Sequence, residues 1–186
     1  SEEGVVLLKN KGNALPLKTN KVNVFGFAGS NDGFIPQGTG SGTGSRNALV
    51  TFLEGLEEAG LEYNEELAEA YDDLDYSRVD GGYVIEAYTD ELYKKYYGVL
   101  EAPNNFYDDD RMLDAREYSD TAIIVLGRLL GEGNDYSKKQ YVANDSNDSS
   151  RKLQSISERE EYMISQVCNY FDNVILVLNI TNSMEL

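Results

Sequence analysis

The chain has 186 residues, a length that suits one domain with a buried hydrophobic core. Its net charge of -17 repels phosphate backbones, which argues against nucleic-acid binding and favours a neutral or cationic partner. One cysteine and no histidine exclude an internal disulfide, a Cys/His zinc site and a histidine-based catalytic triad. Proton chemistry must therefore come from carboxylates, tyrosine or lysine. No apolar run approaches the roughly 20 residues that a membrane helix requires.

The first half of the chain predicts strands and helices in alternation. In chain order, the predictions are a lead-in segment over 1–20, a strand over 22–27, a glycine-rich loop over 26–45, a helix over 48–59 that stops at Gly60, and a second helix capped by Asn64. A further helix is predicted over 83–100, in a stretch rich in tyrosine and aspartate.

The second half continues the alternation. In chain order, it predicts a helix over 110–118, a strand over 121–126 buried on both faces, a loop over 127–150, a helix that Ser157 caps together with Glu160, and a second buried strand over 174–178. Cys168 falls within the apolar pattern of the last helix and is predicted to be buried.

This alternation predicts the α/β fold class: a three-layer α/β/α sandwich with a mainly parallel sheet, formed as one domain by residues 21–186. In such sheets ligands bind at the carboxyl ends of strands. Two long loops follow such ends, one after 22–27 and one after 121–126, so these loops are the places to look for chemistry.

The first loop contains glycine at every second position from Gly38 to Gly44, which lets a ligand approach the backbone closely. A nucleotide site is the weaker interpretation. A phosphate-binding loop of the P-loop type needs a Gly-Lys-Ser/Thr sequence, and the dinucleotide fingerprint needs a third glycine where Thr43 stands.

In the second loop, Glu132 lies between Gly131 and Gly133. Flanking glycines allow a loop to project a carboxylate and to move it. Exposed loop glutamates are also common on protein surfaces, so the residues alone leave both interpretations open.

Four motifs in order give the chain its resemblance to a known family. They are Val5-Val6-Leu7-Leu8-Lys9-Asn10 with Leu15-Pro16-Leu17; Gly38-Thr39-Gly40-Ser41-Gly42 with Phe52-Leu53-Glu54-Gly55-Leu56; Gly127-Arg128 with Gly131-Glu132-Gly133-Asn134-Asp135; and 174–179 with Met184-Glu185-Leu186. Together they resemble the second, α/β domain of family 3 glycoside hydrolases of β-glucosidase type.

The resemblance implies a role for each matching position. Glu132 would be the catalytic acid/base. Ser41, with Gly40 and Gly42, would bind the sugar in the cleaved subsite. Two further residues would structure the loop, Arg128 through a loop carboxylate and Asp135 through backbone N–H groups. The family pattern has serine where this chain has Leu130 and arginine where it has Tyr136, which leaves the loop's hydrogen bonding open.

The resemblance also implies a retaining hydrolase whose nucleophilic aspartate lies on a (β/α)₈ barrel domain outside this chain. The expected partners are a β-linked glucoside or oligosaccharide and that barrel, with no cofactor and no metal. The chain by itself is predicted to be inactive and incomplete at its C-terminus, and an unpaired strand edge there would favour a homodimer. The alternative hypothesis is a non-catalytic carbohydrate-binding or scaffold module of the same fold.

Overall fold

The computed structural model describes residues 4–31, 33–34, 50–74, 101–128, 154–180 and 183–186. Within these ranges the α-helices and strands are β1 Lys21–Phe25, α1 Phe52–Glu58, β2 Glu62–Tyr63, α2 Glu65–Asp72, α3 Asp109–Tyr118, β3 Thr121–Arg128, α4 Glu158–Tyr170 and β4 Asn173–Ile180. The predicted helix over 83–100 lies outside them, as do residues 35–49 and 129–153 of the two predicted functional loops.

The four described strands form one parallel sheet in the order β2-β1-β3-β4. In the register of the central pair, Phe25 of β1 lies opposite Ile124 of β3. The first six residues of β3 are buried, because neighbouring strands flank it and helices cover the sheet. The predicted parallel sheet is therefore confirmed.

Helices cover both faces of the sheet, as the three-layer prediction requires. On one face, α2, α3 and α4 pack on the side chains of Phe25, Ile124 and Leu126. On the other face, α1 packs on Val24 and Val125. Strand residues alternate between the two clusters because successive side chains of a strand point to opposite faces.

Side-chain caps set the starts of the helices. Thr51 and Glu54 form a capping box, so α1 begins at Phe52, later than the predicted position 48. Asn64 caps α2 and Ser157 caps α4 with Glu160 as its partner, and both of these predictions are confirmed. After α1, Gly60 has a φ of +78°, a conformation that glycine adopts without strain.

Two burial predictions are wrong. The strand over 174–178 exists, but β4 is half-exposed, with Leu176 42% exposed, because β4 is the outer strand of the described sheet. Cys168 is exposed rather than buried. Its neighbours Met163 and Val167 occupy the buried side of α4, and one residue further the helix has turned by about 100° toward solvent.

The described part of the lead-in segment lies over the surface. The apolar run Val5 to Leu8 is 63–82% exposed. A short 3₁₀ turn, Lys11–Asn13, follows, and the Asn10 side chain both donates to the carbonyl and accepts from the N–H of Leu15. Among the helices described, none has the length and apolar character needed to cross a bilayer.

Candidate functional site

The candidate site lies at the carboxyl edge of the sheet, where β1 and β3 end side by side. Both strands run in the same direction and pair directly, so the loops that follow them begin next to each other. The structure describes the first residues after β1 and Arg128 at the end of β3. Five of the six predicted site residues, Gly40, Ser41, Gly42, Glu132 and Asp135, lie outside the described ranges.

The chain leaves β1 through a tight turn that requires glycine. Gly26 has a φ of +96°, and a Cβ at this position would lie 2.4 Å from the carbonyl oxygen of Val125. A Cβ at Gly33 would lie 1.9 Å from the Phe27 carbonyl oxygen. The Ser30 hydroxyl fills the remaining space by donating to that carbonyl at 2.8 Å and accepting from the Gly33 N–H at 3.1 Å. The root of the first loop is therefore a compact, hydrogen-bonded turn.

A buried acid, Glu101, supports this turn from below. Its carboxylate accepts the N–H of Phe27 at 3.1 Å, the N–H of Ala102 at 2.7 Å and the hydroxyl of Tyr107 at 2.5 Å. The Tyr107 oxygen lies 2.9 Å from the Tyr71 oxygen, which accepts the Gly26 N–H at 2.9 Å. Because the Tyr107 proton is directed to Glu101, Tyr71 is the donor to Tyr107.

Burial controls the protonation of this network. Desolvation raises the pKa of Glu101 from 4.5 to about 7, against the lowering effect of the hydrogen bond from Tyr107; the negative charge of Glu160 raises it further. Desolvation also raises the pKa of Tyr71 and of Tyr107 well above 10, so both hydroxyls keep their protons at neutral pH. Glu101 is thus the group in this network that changes charge near neutrality.

The end of β3 carries a fully buried ion pair. Both terminal nitrogens of Arg128 contact the carboxylate oxygens of Glu160 at 2.8 Å, in a bidentate arrangement. Glu160 also accepts the N–H of Ser157 at 2.8 Å as part of the capping box of α4. One carboxylate therefore caps a helix and neutralises the guanidinium. Within the described residues this pairing is with a helix carboxylate, and the predicted pairing of Arg128 with a loop carboxylate stays a prediction.

Arg128 also connects the two ends of the second loop. Its Nη2 donates to the carbonyl of Ser155 at 3.0 Å, and Ser155 follows the loop in sequence. Ser155 is itself bound by Glu185 of the Met184-Glu185-Leu186 motif, through its hydroxyl at 3.1 Å and through a parallel β-bridge. Arg128 and Ser155, the described residues on either side of the segment that contains Glu132, are therefore hydrogen-bonded to each other.

The site contains residues that the sequence analysis missed. Glu101 and Tyr107 showed no motif or periodicity that distinguished them. Helical spacing placed Tyr71 on the apolar face of the helix that Asn64 caps, but gave no sign of its hydrogen bonds. Glu160 was predicted as a cap, but its pairing with Arg128 was not predicted. Among the described residues, no group of three or more acidic or cysteine side chains is arranged to hold a metal ion.

Comparisons with known proteins agree on one family. The model of the glycosyl hydrolase family 3 C-terminal domain matches residues 5–186. A β-glucosidase of Ruminococcus albus is 34% identical over 194 residues, which cover 99% of this chain and 17% of that protein. β-Glucosidase A of Butyrivibrio fibrisolvens is 30% identical over 96% of this chain and 21% of that protein. The chain thus spans about a fifth of the length of these relatives.

Solved structures give the same result. β-Glucosidase 3B of Thermotoga neapolitana, in complex with α-D-glucose, superimposes with a TM-score of 0.69 and 32% identity, over 99% of this chain and 23% of that one. A β-glucosidase of Paenibacillus barengoltzii superimposes with a TM-score of 0.68 and 25% identity, over 97% of this chain and 18% of that one. The fold of the described residues is therefore that of an α/β domain found in larger β-glucosidases.

Proposed function

Because this chain belongs to the C-terminal domain family of family 3 glycoside hydrolases, we propose that it supplies the acid/base glutamate, Glu132, to a retaining β-glucosidase. A (β/α)₈ barrel domain would supply the nucleophilic aspartate. Ser41, between Gly40 and Gly42, would bind the sugar in the cleaved subsite. The substrate would be a β-linked glucoside or oligosaccharide, and the reaction would need no cofactor.

The observation that carries this proposal is the double anchoring by Arg128. An acid/base on a loop must return to the same place in each turnover, since a displacement of about 1 Å can cost roughly 100-fold in rate. The guanidinium of Arg128 is paired with Glu160 and binds the Ser155 carbonyl, so the described residues that flank segment 129–153 are attached to each other. Glu132 is four residues from that anchor in sequence. Arg128 is therefore proposed to position the loop, and Asp135 to order its backbone.

In the proposed mechanism, two carboxyl groups lie about 5–5.5 Å apart, one as the nucleophile and the other as the acid/base. The barrel aspartate attacks the anomeric carbon while protonated Glu132 gives its proton to the leaving glycosidic oxygen. The Glu132 carboxylate then takes a proton from water, which attacks the anomeric carbon and releases the sugar with retained configuration. Contact with the barrel would desolvate Glu132 and bring it near a second negative charge, and both effects raise the pKa of a carboxyl group.

The test is Glu132→Gln in an enzyme that joins this chain to a barrel domain, assayed with an aryl β-glucoside. We expect kcat/KM to fall about 10²–10⁴-fold, the range for loss of general acid–base catalysis. Azide should then restore turnover by replacing water as the nucleophile, giving β-glucosyl azide as the product. The matched control is Glu69→Gln, which changes an exposed glutamate of α2 and should leave activity unchanged.

Three outcomes decide between the alternatives. Full activity of the Glu132→Gln enzyme would refute the acid/base role and favour the carbohydrate-binding or scaffold module, which Leu130 and Tyr136 support as departures from the family pattern. Loss of activity with azide rescue supports the proposal. Hydrolysis by the 186-residue chain alone would contradict the assignment of the nucleophile to another domain, and Asp135→Asn would then test the nearest internal candidate.

A further inference from the structure

Glu101, the buried acid below the first loop, has no part in the proposed acid/base chemistry. Glu101 is 1% exposed and lies 74 residues from Phe27 in sequence, yet it accepts the backbone N–H of Phe27 directly. A buried carboxylate is costly to maintain unless it makes a specific set of hydrogen bonds. One of the hydrogen bonds of Glu101 is to the backbone N–H of Phe27, where the chain leaves β1.

Two consecutive amides depend on the network. Phe27 N–H is bound by Glu101 itself, and Gly26 N–H is bound by the Tyr71 hydroxyl, which reaches Glu101 through Tyr107. These amides fix the direction of the turn that begins the first loop. The turn leaves no room for a side chain at Gly26 or Gly33, since a Cβ at either position would lie within 2.4 Å of a neighbouring carbonyl oxygen.

The network also extends toward the second loop. Arg159 of α4 donates to the backbone carbonyl of Glu101 at 3.2 Å. The next residue of α4 is Glu160, which holds Arg128 at the end of β3. The roots of the two loops are therefore joined through adjacent residues of one helix.

We propose that Glu101 is a positioning residue for the sugar subsite, which sets the first loop by holding the Gly26 and Phe27 amides through its carboxylate and two tyrosine hydroxyls. This inference rests on the proposed function, in which Ser41 of that loop binds the sugar. Protonation of Glu101 removes the negative charge that strengthens the three hydrogen bonds it accepts and adds a proton to one of the accepting oxygens. The geometry of the loop root therefore depends on the charge of this carboxyl.

The ionisable groups that face this network come from each element packed against it. Among the described residues they include Tyr71 of α2, Tyr107 directly after the 3₁₀ turn Asn104–Phe106, Arg111 of α3, and Arg159 and Glu160 of α4. Both hydroxyls stay protonated at neutral pH, so the transition near pH 7 belongs to the carboxyl of Glu101.

The first measurement follows the amide NMR signals of Gly26 and Phe27 in the 186-residue chain as the pH is raised. We expect both signals to shift with a midpoint near pH 7 and to lose that transition in Glu101→Gln. Tyr107→Phe keeps the carboxylate but breaks the path to Tyr71. In that variant Phe27 should still follow the titration, whereas Gly26 should not. This variant also tests the proposal if Glu101→Gln fails to fold.

The second measurement is kinetic, in an enzyme that joins this chain to a barrel domain, with 4-nitrophenyl β-glucoside as the substrate. Glu101→Gln should raise KM roughly 10- to 100-fold and change kcat less, and its KM should no longer change across pH 7. Glu69→Gln, on the exposed side of α2, is the matched control.

The outcomes separate this inference from the proposed function. An unchanged KM in Glu101→Gln, in an enzyme that Glu132→Gln inactivates, would overturn the positioning role and leave the acid/base proposal standing. Absence of the amide titration near pH 7 in the wild-type chain would also overturn it. An active Glu132→Gln enzyme would refute the acid/base proposal, while the amide titration would still decide whether Glu101 controls the loop root.

Discussion

The ends of β1 and β3 are both supported by a buried carboxylate, but the two carboxylates have different partners. Each places a fully buried carboxylate beneath a loop at the carboxyl edge of the sheet. At β3, Glu160 is matched by the guanidinium of Arg128, so the charges compensate each other. At β1, Glu101 accepts from two backbone N–H groups and a tyrosine hydroxyl, all neutral donors, and its pKa rises to about 7.

The comparison shows that the partners of a buried acid decide how well its desolvation is compensated. A bidentate guanidinium pair adds charge to the hydrogen bonds and fixes their geometry. At Glu101 desolvation outweighs the hydrogen bonds, so this carboxyl changes its charge near neutrality. The end of β3 is therefore held by an ion pair, whereas the anchor at the end of β1 depends on pH.

Breaking the β3 anchor should have the largest effect. In Arg128→Met, Glu160 stays buried without its guanidinium, and we expect a loss of about 3–5 kcal/mol in the free energy of unfolding. Urea denaturation of the chain measures this loss. The double variant Arg128→Met/Glu160→Met should lose less than the single one, because neither charge remains buried alone. A double variant that loses the sum of both single effects would contradict this account.

Removing the titratable group at β1 should have the next largest effect. In the folded chain Glu101 binds a proton between pH 4.5 and about 7 that the unfolded chain has already released. Its contribution to stability is therefore fully present below pH 4.5 and is lost as the pH rises through 7. The two pKa values differ by an amount equivalent to about 3 kcal/mol.

Glu101→Gln tests this contribution through the pH dependence of unfolding. The free energy of unfolding of the wild type should fall relative to that of the variant by about 3 kcal/mol between pH 4.5 and 8. Taking the difference between the two proteins cancels the other carboxylates. Parallel pH profiles of the two proteins would show that Glu101 does not titrate in this range.

A smaller effect is expected from Tyr71→Phe, which removes the hydroxyl that accepts the Gly26 N–H. Leaving a buried donor without its partner should lower the free energy of unfolding by about 1–3 kcal/mol. Urea denaturation measures this loss as a lower midpoint. Tyr118→Phe is the matched control, since its hydroxyl donates to the Tyr63 carbonyl in a half-buried position. Equal losses in the two variants would show that burial of the Tyr71 network carries no additional energy.

The smallest effect is expected at an exposed ion pair. Arg116 and Asp172 lie 2.9 Å apart, but the Asp172 side chain is 85% exposed. Arg116→Ala should cost about 0.2–1 kcal/mol, and 0.5 M salt should reduce that loss further because exposed charges are screened. A loss close to that of Arg128→Met would mean that burial does not explain the contrast between the ion pairs.

Much of the fold followed from local patterns in the sequence. The strand at 121–126, the caps at Asn64 and Ser157, and the parallel sheet with helices on both faces were all predicted and are all confirmed. These features depend on residues close together in the chain: a run of β-branched side chains, or a serine three residues before a glutamate. The family assignment had the same basis, since four short motifs carried it.

The exposure of the outer strand β4 and of Cys168 on α4 did not follow from the sequence. The apolar run of β4 is as rich in β-branched and aliphatic residues as that of β3, so it could not reveal that β4 is the outer strand and that Leu176 is 42% exposed. Cys168 was misplaced because an apolar helical pattern does not fix which side of the helix each small residue faces.

By itself, the sequence determined the strand and helix alternation, the helix caps at Asn64 and Ser157, and the candidate carboxylate at position 132. The tertiary structure decided which distant side chains meet: Glu101 with Phe27, and Arg128 with Glu160 and Ser155. The reason is geometric. Residues that are 27 to 74 positions apart come into contact only when helices have packed on a sheet of fixed strand order, and no local pattern encodes that packing.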